Sequence, residues 1–215
     1  MENGFMKQIV LLGDSIRMGY DKYVKMAYDG EYEVVFPNEN CRFASYITRF
    51  LYEWKKKFRC DDVVLVHWNA GLWDCLHMTD GEMHTPIEIY KAYIERISKM
   101  LKEYFPNAKI VFATSTPVQE HLYGELKRFN KEVQDYNAAA VEIVTSHGAK
   151  VNDLFALMEP CPESYHSDLT HYYTKEGTKI MTERVCDVID AELGCVAKKL
   201  DFDALFGETK DILGI

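Results

Sequence analysis

Ile9-Val10-Leu11-Leu12-Gly13-Asp14-Ser15 is an apolar run that breaks off at a Gly-Asp-Ser triplet. Consecutive aliphatic side chains with no polar alternation suit a strand covered on both faces, as in a parallel sheet. Directly after it, Ile16, Tyr20, Val24 and Tyr28 recur at a spacing of four, which predicts a helix over residues 16–28. A buried strand that turns at once into a helix opens a β-α-β unit.

The rest of the chain repeats that alternation. Val- and Ile-rich runs predict strands at 8–12, 33–36, 62–66, 109–113 and 149–152. Helical patterns cover 44–58, 86–105, 126–145 and 174–193. Thr85 is the expected N-cap of the third helix, with Pro86 in its first turn, and Gly148 and Gly194 are expected at helix ends. Strictly alternating elements imply a parallel sheet with helices on both faces. Right-handed crossovers then leave few topologies. The expectation is an α/β fold: a three-layer α/β/α sandwich around a five-stranded parallel sheet of flavodoxin-like order 2-1-3-4-5. Residues 1–195 form the expected α/β domain. Residues 196–215 read as a helical appendage packed on it through Leu200, Phe202, Leu205 and Phe206.

Composition narrows the function classes. The chain has 215 residues, 47% hydrophobic and 27% charged, and a formal net charge of −9. These values suit one soluble globular domain. The acidic balance argues against binding a phosphate backbone, which needs a basic face. No run approaches the ~18 apolar residues of a membrane span. The first residues lack the basic region of a signal peptide. The six cysteines (Cys41, Cys60, Cys75, Cys161, Cys186 and Cys195) are scattered and form no Cys-x-x-Cys pair, so reduced thiols and a cytoplasmic location are expected. His67, His77, His84, His121, His147 and His166 show no metal-ligand spacing, so no metal and no cofactor are expected. A nucleotide-phosphate site is disfavoured too: the first loop has no glycine-rich cradle and puts Asp14 where an anion would sit.

In an open α/β sheet, ligands sit beyond the carboxyl ends of the strands. Gly13-Asp14-Ser15 lies at the first such end, and a long loop after the fifth strand carries Ser167-Asp168-Leu169-Thr170-His171. A serine at a strand-to-helix turn lifts its hydroxyl above the sheet edge, near the free N–H groups of the helix. In a turn, Asp168 reaches one imidazole nitrogen of His171 and leaves the other to take a serine proton. Each piece has a plainer reading by itself: Ser15 as a helix N-cap, and Asp168 and His171 as an exposed pair.

The two blocks together resemble the SGNH (GDSL-type) hydrolases, over most of the chain. In that family the first block is an apolar strand ending in Gly-Asp-Ser, and the last is Asp-x-x-His before the C-terminal helix. The resemblance implies a three-layer α/β/α fold, Ser15 as nucleophile, His171 as general base and Asp168 as its orienting partner. It also implies an oxyanion hole from the Ser15 and Ser45 backbone N–H groups and the Asn69 side chain. The middle blocks depart from the family. Ser45, or Ala44 in a shifted register, stands where the second block has glycine. The third block, normally Gly-x-Asn-Asp, corresponds to the stretch from His67 to Asp74. The Gly-x-Ser-x-Gly elbow of the α/β-hydrolases is absent.

The expected activity is therefore that of a serine esterase acting on a small-molecule ester or thioester, a short acyl group on a sugar or small alcohol. Arg17 and Arg42 are candidate binders of an anionic substrate group, and Trp73 a candidate pocket wall. An acyltransferase, or a carbohydrate-binding protein with a silent triad, would use the same scaffold.

Overall fold

The computed structural model describes residues 5–209. Five parallel strands, β1 (Gln8–Leu12), β2 (Glu33–Val35), β3 (Val63–Trp68), β4 (Lys109–Ala113) and β5 (Lys150–Asn152), form one sheet of order β2-β1-β3-β4-β5. The order and the parallel pairing are those expected from the sequence. β1 sits inside the sheet, and its residues are all buried, which accounts for its unbroken apolar character.

Helices α1 (Ser15–Ala27) and α6 (Lys175–Leu193) pack on each other, as do α2 (Ala44–Lys55), α3 (Ile87–Tyr104) and α4 (Asn130–Ser146) in sequence. The sheet lies between these two helical layers. A short α5 (Leu154–Met158) follows β5, capped by the Asp153 side chain, which accepts from Ala156 N at 3.0 Å. Its five residues are too few to give a periodic signal.

Element ends shift by a few residues, each for a local reason. β3 runs to Trp68, past the expected end at 66, because His67 is a core residue with no exposed surface. Its ring meets Tyr20 Oη at 3.5 Å and Asn152 Nδ2 at 3.1 Å, and burial pushes its pKa down to about 3. α4 starts at Asn130, not at 126. Residues 120–122 form a 3₁₀ turn, and Lys127 and His77 exchange backbone hydrogen bonds in an antiparallel bridge. The cap of α3 is Pro86, not Thr85; the Thr85 hydroxyl bonds inward to His84 and Asp74 instead. α6 begins as expected: Thr174 caps Gly177 N, and Gly194 closes it at φ 70°.

After α6 the chain runs back over α1, with Lys198 N donating to Ala27 O at 2.9 Å. It then forms α7 (Phe202–Thr209), whose Phe202 ring lies 5.4 Å from that of Tyr23. The expected appendage extends to 215, so its last six residues lie outside the described residues.

The strand order reverses about β1, with β2 on one side and β3 on the other. Loops from the carboxyl ends of β1 and β3 diverge at that point, leaving a crevice between them.

Candidate active site

Gly13 follows β1 at the floor of this crevice. A Cβ there would lie 1.9 Å from Asn69 Oδ1, so no larger residue fits while Asn69 keeps its place. Asp14 is fully buried and acts as the N-cap of α1, accepting from Ile16 N at 2.9 Å. It also accepts from Asn69 Nδ2 at 2.8 Å. Burial raises the Asp14 pKa, while the Asn69 and Ile16 hydrogen bonds partly offset that. Because Asp14 does the capping, Ser15 becomes the first helical residue. Its hydroxyl is not consumed as a cap, and its N–H lies in the first turn, where no intrahelical acceptor exists.

The loop after α5 brings in the other two groups. Asp168 Oδ1 accepts from the backbone N–H of Thr170 at 2.7 Å and of His171 at 2.8 Å. These bonds fold 168–171 into a turn. The His171 ring then meets the same carboxylate, with Nδ1 2.8 Å from Oδ2. A carboxylate oxygen is an acceptor, so Nδ1 carries the proton and Nε2 is left free to accept one. Partial burial alone would raise the Asp168 pKa. The hydrogen bonds from the His171 ring and the two backbone groups outweigh it and hold the carboxyl below its usual value.

Tyr173 joins the two halves. Its hydroxyl donates to Ser15 O at 2.6 Å, and its ring stacks on His171 at 4.6 Å between centroids. His166 lies apart from this group. Its ring centre lies 3.8 Å from that of Tyr172, tilted by 35°, and it lines a different cavity, between α5 and the β4 loop.

Ser15 and His171 both line a cavity of about 670 Å³. Its wall includes Asn40, Leu72, Trp73, Leu76, Tyr123, Leu126, Arg128, Leu169 and Thr170. Thus Ser15, His171 and Trp73 come together, with Asp168 behind the imidazole. The other expected residues are elsewhere. Ser45 is the second residue of α2 and does not line the cavity. Asn69 has no exposed surface and holds Asp14. Arg17 is buried in an ion pair with Asp21 and donates to Glu39 O at 2.5 Å, so it braces the loop after β2 from below. Arg42 is exposed, its guanidinium 5.0 Å from the centre of the Tyr46 ring.

The middle blocks are tied together in a way the sequence only hinted at. The left-handed φ that glycine adopts at no cost falls on Arg42, at 53°, rather than on Ser45 or Ala44. An Asx turn supports it: Asn40 Oδ1 accepts from Arg42 N at 2.7 Å, which leaves the Asn40 amide hydrogens unused by this bond. Cys41 N donates to Gly13 O at 3.0 Å. Asp74, buried behind the cavity, accepts from Ala44 N at 3.1 Å and so holds the start of α2. Gly71-Leu72-Trp73-Asp74 therefore has the Gly-x-x-Asp frame of a third block, with Trp73 in the asparagine position. That spacing was present in the sequence. Gly71 has φ 131°, and a Cβ on it would meet Tyr90 Oη at 2.9 Å.

Comparison with known proteins places the fold. No family model matches the chain. A curated human protein, isoamyl acetate-hydrolyzing esterase 1 homolog, is 26% identical over 145 residues, which is 62% of this chain and 58% of that protein. The chain thus spans little more than half the length of that relative. A lipase/acylhydrolase from Enterococcus faecalis has a similar structure, with TM-score 0.68 and 19% identity over 91% of this chain and 100% of that one. So does an acetylxylan esterase from Geobacillus stearothermophilus, with TM-score 0.65 and 13% identity over 94% of this chain and 100% of that one. A third, from the lipolytic G-D-S-L family of Veillonella parvula, has TM-score 0.61 and 15% identity over 84% and 97% of the two chains. By sheet order, by its Gly13-Asp14-Ser15 and Asp168-Leu169-Thr170-His171 blocks and by these likenesses, the chain has the SGNH (GDSL-type) hydrolase fold and resembles that family, diverging from it in the second and third blocks.

Proposed function

We propose that this chain is a serine hydrolase that cleaves a short acyl ester or thioester of a small alcohol or sugar through an acyl-enzyme on Ser15. One observation carries the reading: Ser15 and an imidazole anchored by Asp168 open on the same cavity. Ser15 Oγ attacks the acyl carbonyl while His171 Nε2 takes its proton. Asp168 holds the Nδ1–H tautomer and stabilises the imidazolium that forms. The tetrahedral oxyanion meets the Ser15 N–H and the Asn40 side-chain amide, whose hydrogens the Asx turn leaves unused. His171 then returns the proton to the leaving alcohol, and water clears the acyl-enzyme by the same route.

The names of the human relative and of the acetylxylan esterase support an ester substrate. The apolar wall of Leu72, Trp73, Leu76 and Leu126 suits an acyl chain. All six cysteines are free, which suits a reducing, cytoplasmic setting.

A fluorophosphonate probe tests the nucleophile directly. It should label Ser15 and leave the Ser15→Ala variant unlabelled, and His171→Ala should label far more slowly. Labelling of a different serine, or none with the wild type, would reject the reading.

A further inference from the structure

Arg128 is the one lysine or arginine on the cavity wall among the described residues. It is 8% exposed, an unusual degree of burial for a side chain that is always charged. Among the described residues no carboxylate lies within ion-pair distance of it. Its hydrogen-bond partners are neutral: Nε donates to Leu72 O at 2.5 Å, and Nη1 to Tyr123 Oη at 3.1 Å. Tyr123 in turn meets Thr170 Oγ1 at 2.6 Å, next to His171. The guanidinium is thus fixed in direction by two oxygens and the Tyr123 ring, 5.7 Å from its centroid. A guanidinium has five N–H donors, and these bonds use two. The buried Asp14, whose pKa burial raises, feels the Arg128 charge, which partly offsets that rise. Glu125 is on the same wall, but it is exposed and makes none of these bonds.

A buried cation costs desolvation energy unless an anion or full hydrogen bonding compensates it. Here the compensation is incomplete, and the open side is a cavity wall that is otherwise mostly apolar. We propose that Arg128 recognises a carboxylate on the substrate. The ester cleaved by this chain is then that of a small carboxylate-bearing molecule, with its carbon skeleton among Leu72, Trp73, Leu76 and Leu126. The planar fork of the guanidinium matches a carboxylate with two parallel hydrogen bonds. The chain's net charge of −9 repels anions in general, so a carboxylate enters for this contact rather than by bulk attraction. This proposal rests on the reading of Ser15 as the nucleophile. It relocates anion recognition from Arg17 and Arg42, which are used elsewhere, to a residue that the sequence did not single out.

Two matched pairs of esters test it. Mono-p-nitrophenyl glutarate against p-nitrophenyl butyrate places the charge on the acyl side. p-Acetoxybenzoate against its methyl ester places it on the alcohol side. The wild type should favour the charged member of one pair by about 10- to 100-fold in kcat/KM. Arg128→Met should bring that ratio close to unity, and Arg128→Lys should keep part of it. No preference in the wild type, or a preference that survives Arg128→Met, overturns the proposal. If the wild type hydrolyses no ester, the reading of Ser15 fails, and the carboxylate site is judged by binding instead. Glutarate and benzoate should then quench tryptophan fluorescence in Ser15→Ala and not in Ser15→Ala/Arg128→Met. Absence of binding, or equal binding by both, overturns it. Circular dichroism of the Arg128 variants separates a lost contact from a lost fold.

Discussion

The hydroxyl of Tyr173 donates to the carbonyl oxygen of Ser15 at 2.6 Å, across 158 residues of chain. The same ring stacks on the imidazole of His171, with 19° between the planes. One side chain therefore fixes the start of α1 relative to the loop that carries the base. Its room is made by Gly19, where a Cβ would sit 2.8 Å from the Tyr173 ring. The Tyr173 hydroxyl bonds the Ser15 backbone carbonyl and neither the Ser15 hydroxyl nor an imidazole nitrogen, so its role is positioning. Tyr173→Phe keeps the stack and removes the bond. We expect kcat to fall by about 10-fold or more at nearly unchanged KM, with stability reduced by only about 1 kcal/mol. Steady-state kinetics with a p-nitrophenyl ester, beside urea unfolding, separates the two. An unaltered kcat would show that the bond does not set the geometry.

Asp168→Asn isolates the anchoring of the base. Asparagine retains an oxygen for the Thr170 and His171 N–H groups, so the turn survives. Its amide also presents N–H donors, which favour the wrong imidazole tautomer or a turned ring. Activity should drop by about 10³- to 10⁴-fold while the circular dichroism spectrum stays the same. Loss of less than about tenfold would mean that the carboxylate does not serve the imidazole.

Legibility in the sequence followed the range of the interactions. The sheet order could be read because four aliphatic residues in a row, as in Ile9–Leu12, have few stable homes outside a buried parallel strand. The pairing of Asp168 with His171 could be read because the two are close in sequence. Asn69 and Ser45 were placed by block correspondence alone. Their positions depend on contacts between segments far apart, such as Asn69 with Asp14 and Ala44 with Asp74. Tyr173 escaped notice because it lies in an irregular segment whose course no periodicity fixes. Arg128 escaped notice because residues 126–129, expected as the start of a helix, are irregular. Arg17, expected as a candidate binder of an anionic group, is instead buried in an ion pair with Asp21, a partner four residues on that its place early in the helix did not single out.

The two asparagines near Ser15 should respond differently. Asn40→Ala removes a side-chain amide from the cavity wall. If that amide meets the oxyanion, kcat falls by about 10²-fold, or roughly 3 kcal/mol. Loss of the Asx turn under Arg42 adds a small stability cost. Asn69→Ala instead leaves the buried Asp14 carboxylate with the Ile16 N–H as its remaining donor, so it should cost about 2–4 kcal/mol of stability. Ser45→Ala should alter neither property. Equal catalytic losses in Asn40→Ala and Ser45→Ala, measured on folded protein, would contradict this division.

Asp74 offers a test against pH. Burial is the main cause that pushes its carboxyl up to about 7, and the charge of Asp14 adds to it. Hydrogen bonds from Thr85 and Ala44 pull the other way without prevailing. In the unfolded chain the group titrates near 3.8. The folded state therefore holds the proton more tightly. That contribution to stability is complete below the unfolded pKa and is lost as pH rises through about 7. Asp74→Asn removes the titration while keeping an oxygen for the Ala44 N–H. The stability of the variant relative to wild type should therefore improve by about 1–3 kcal/mol between about pH 5 and about pH 8. Urea midpoints for both proteins at the two pH values give that difference directly. A constant gap, or one that moves against the variant, would mean that Asp74 is already ionised in the folded protein at the lower pH.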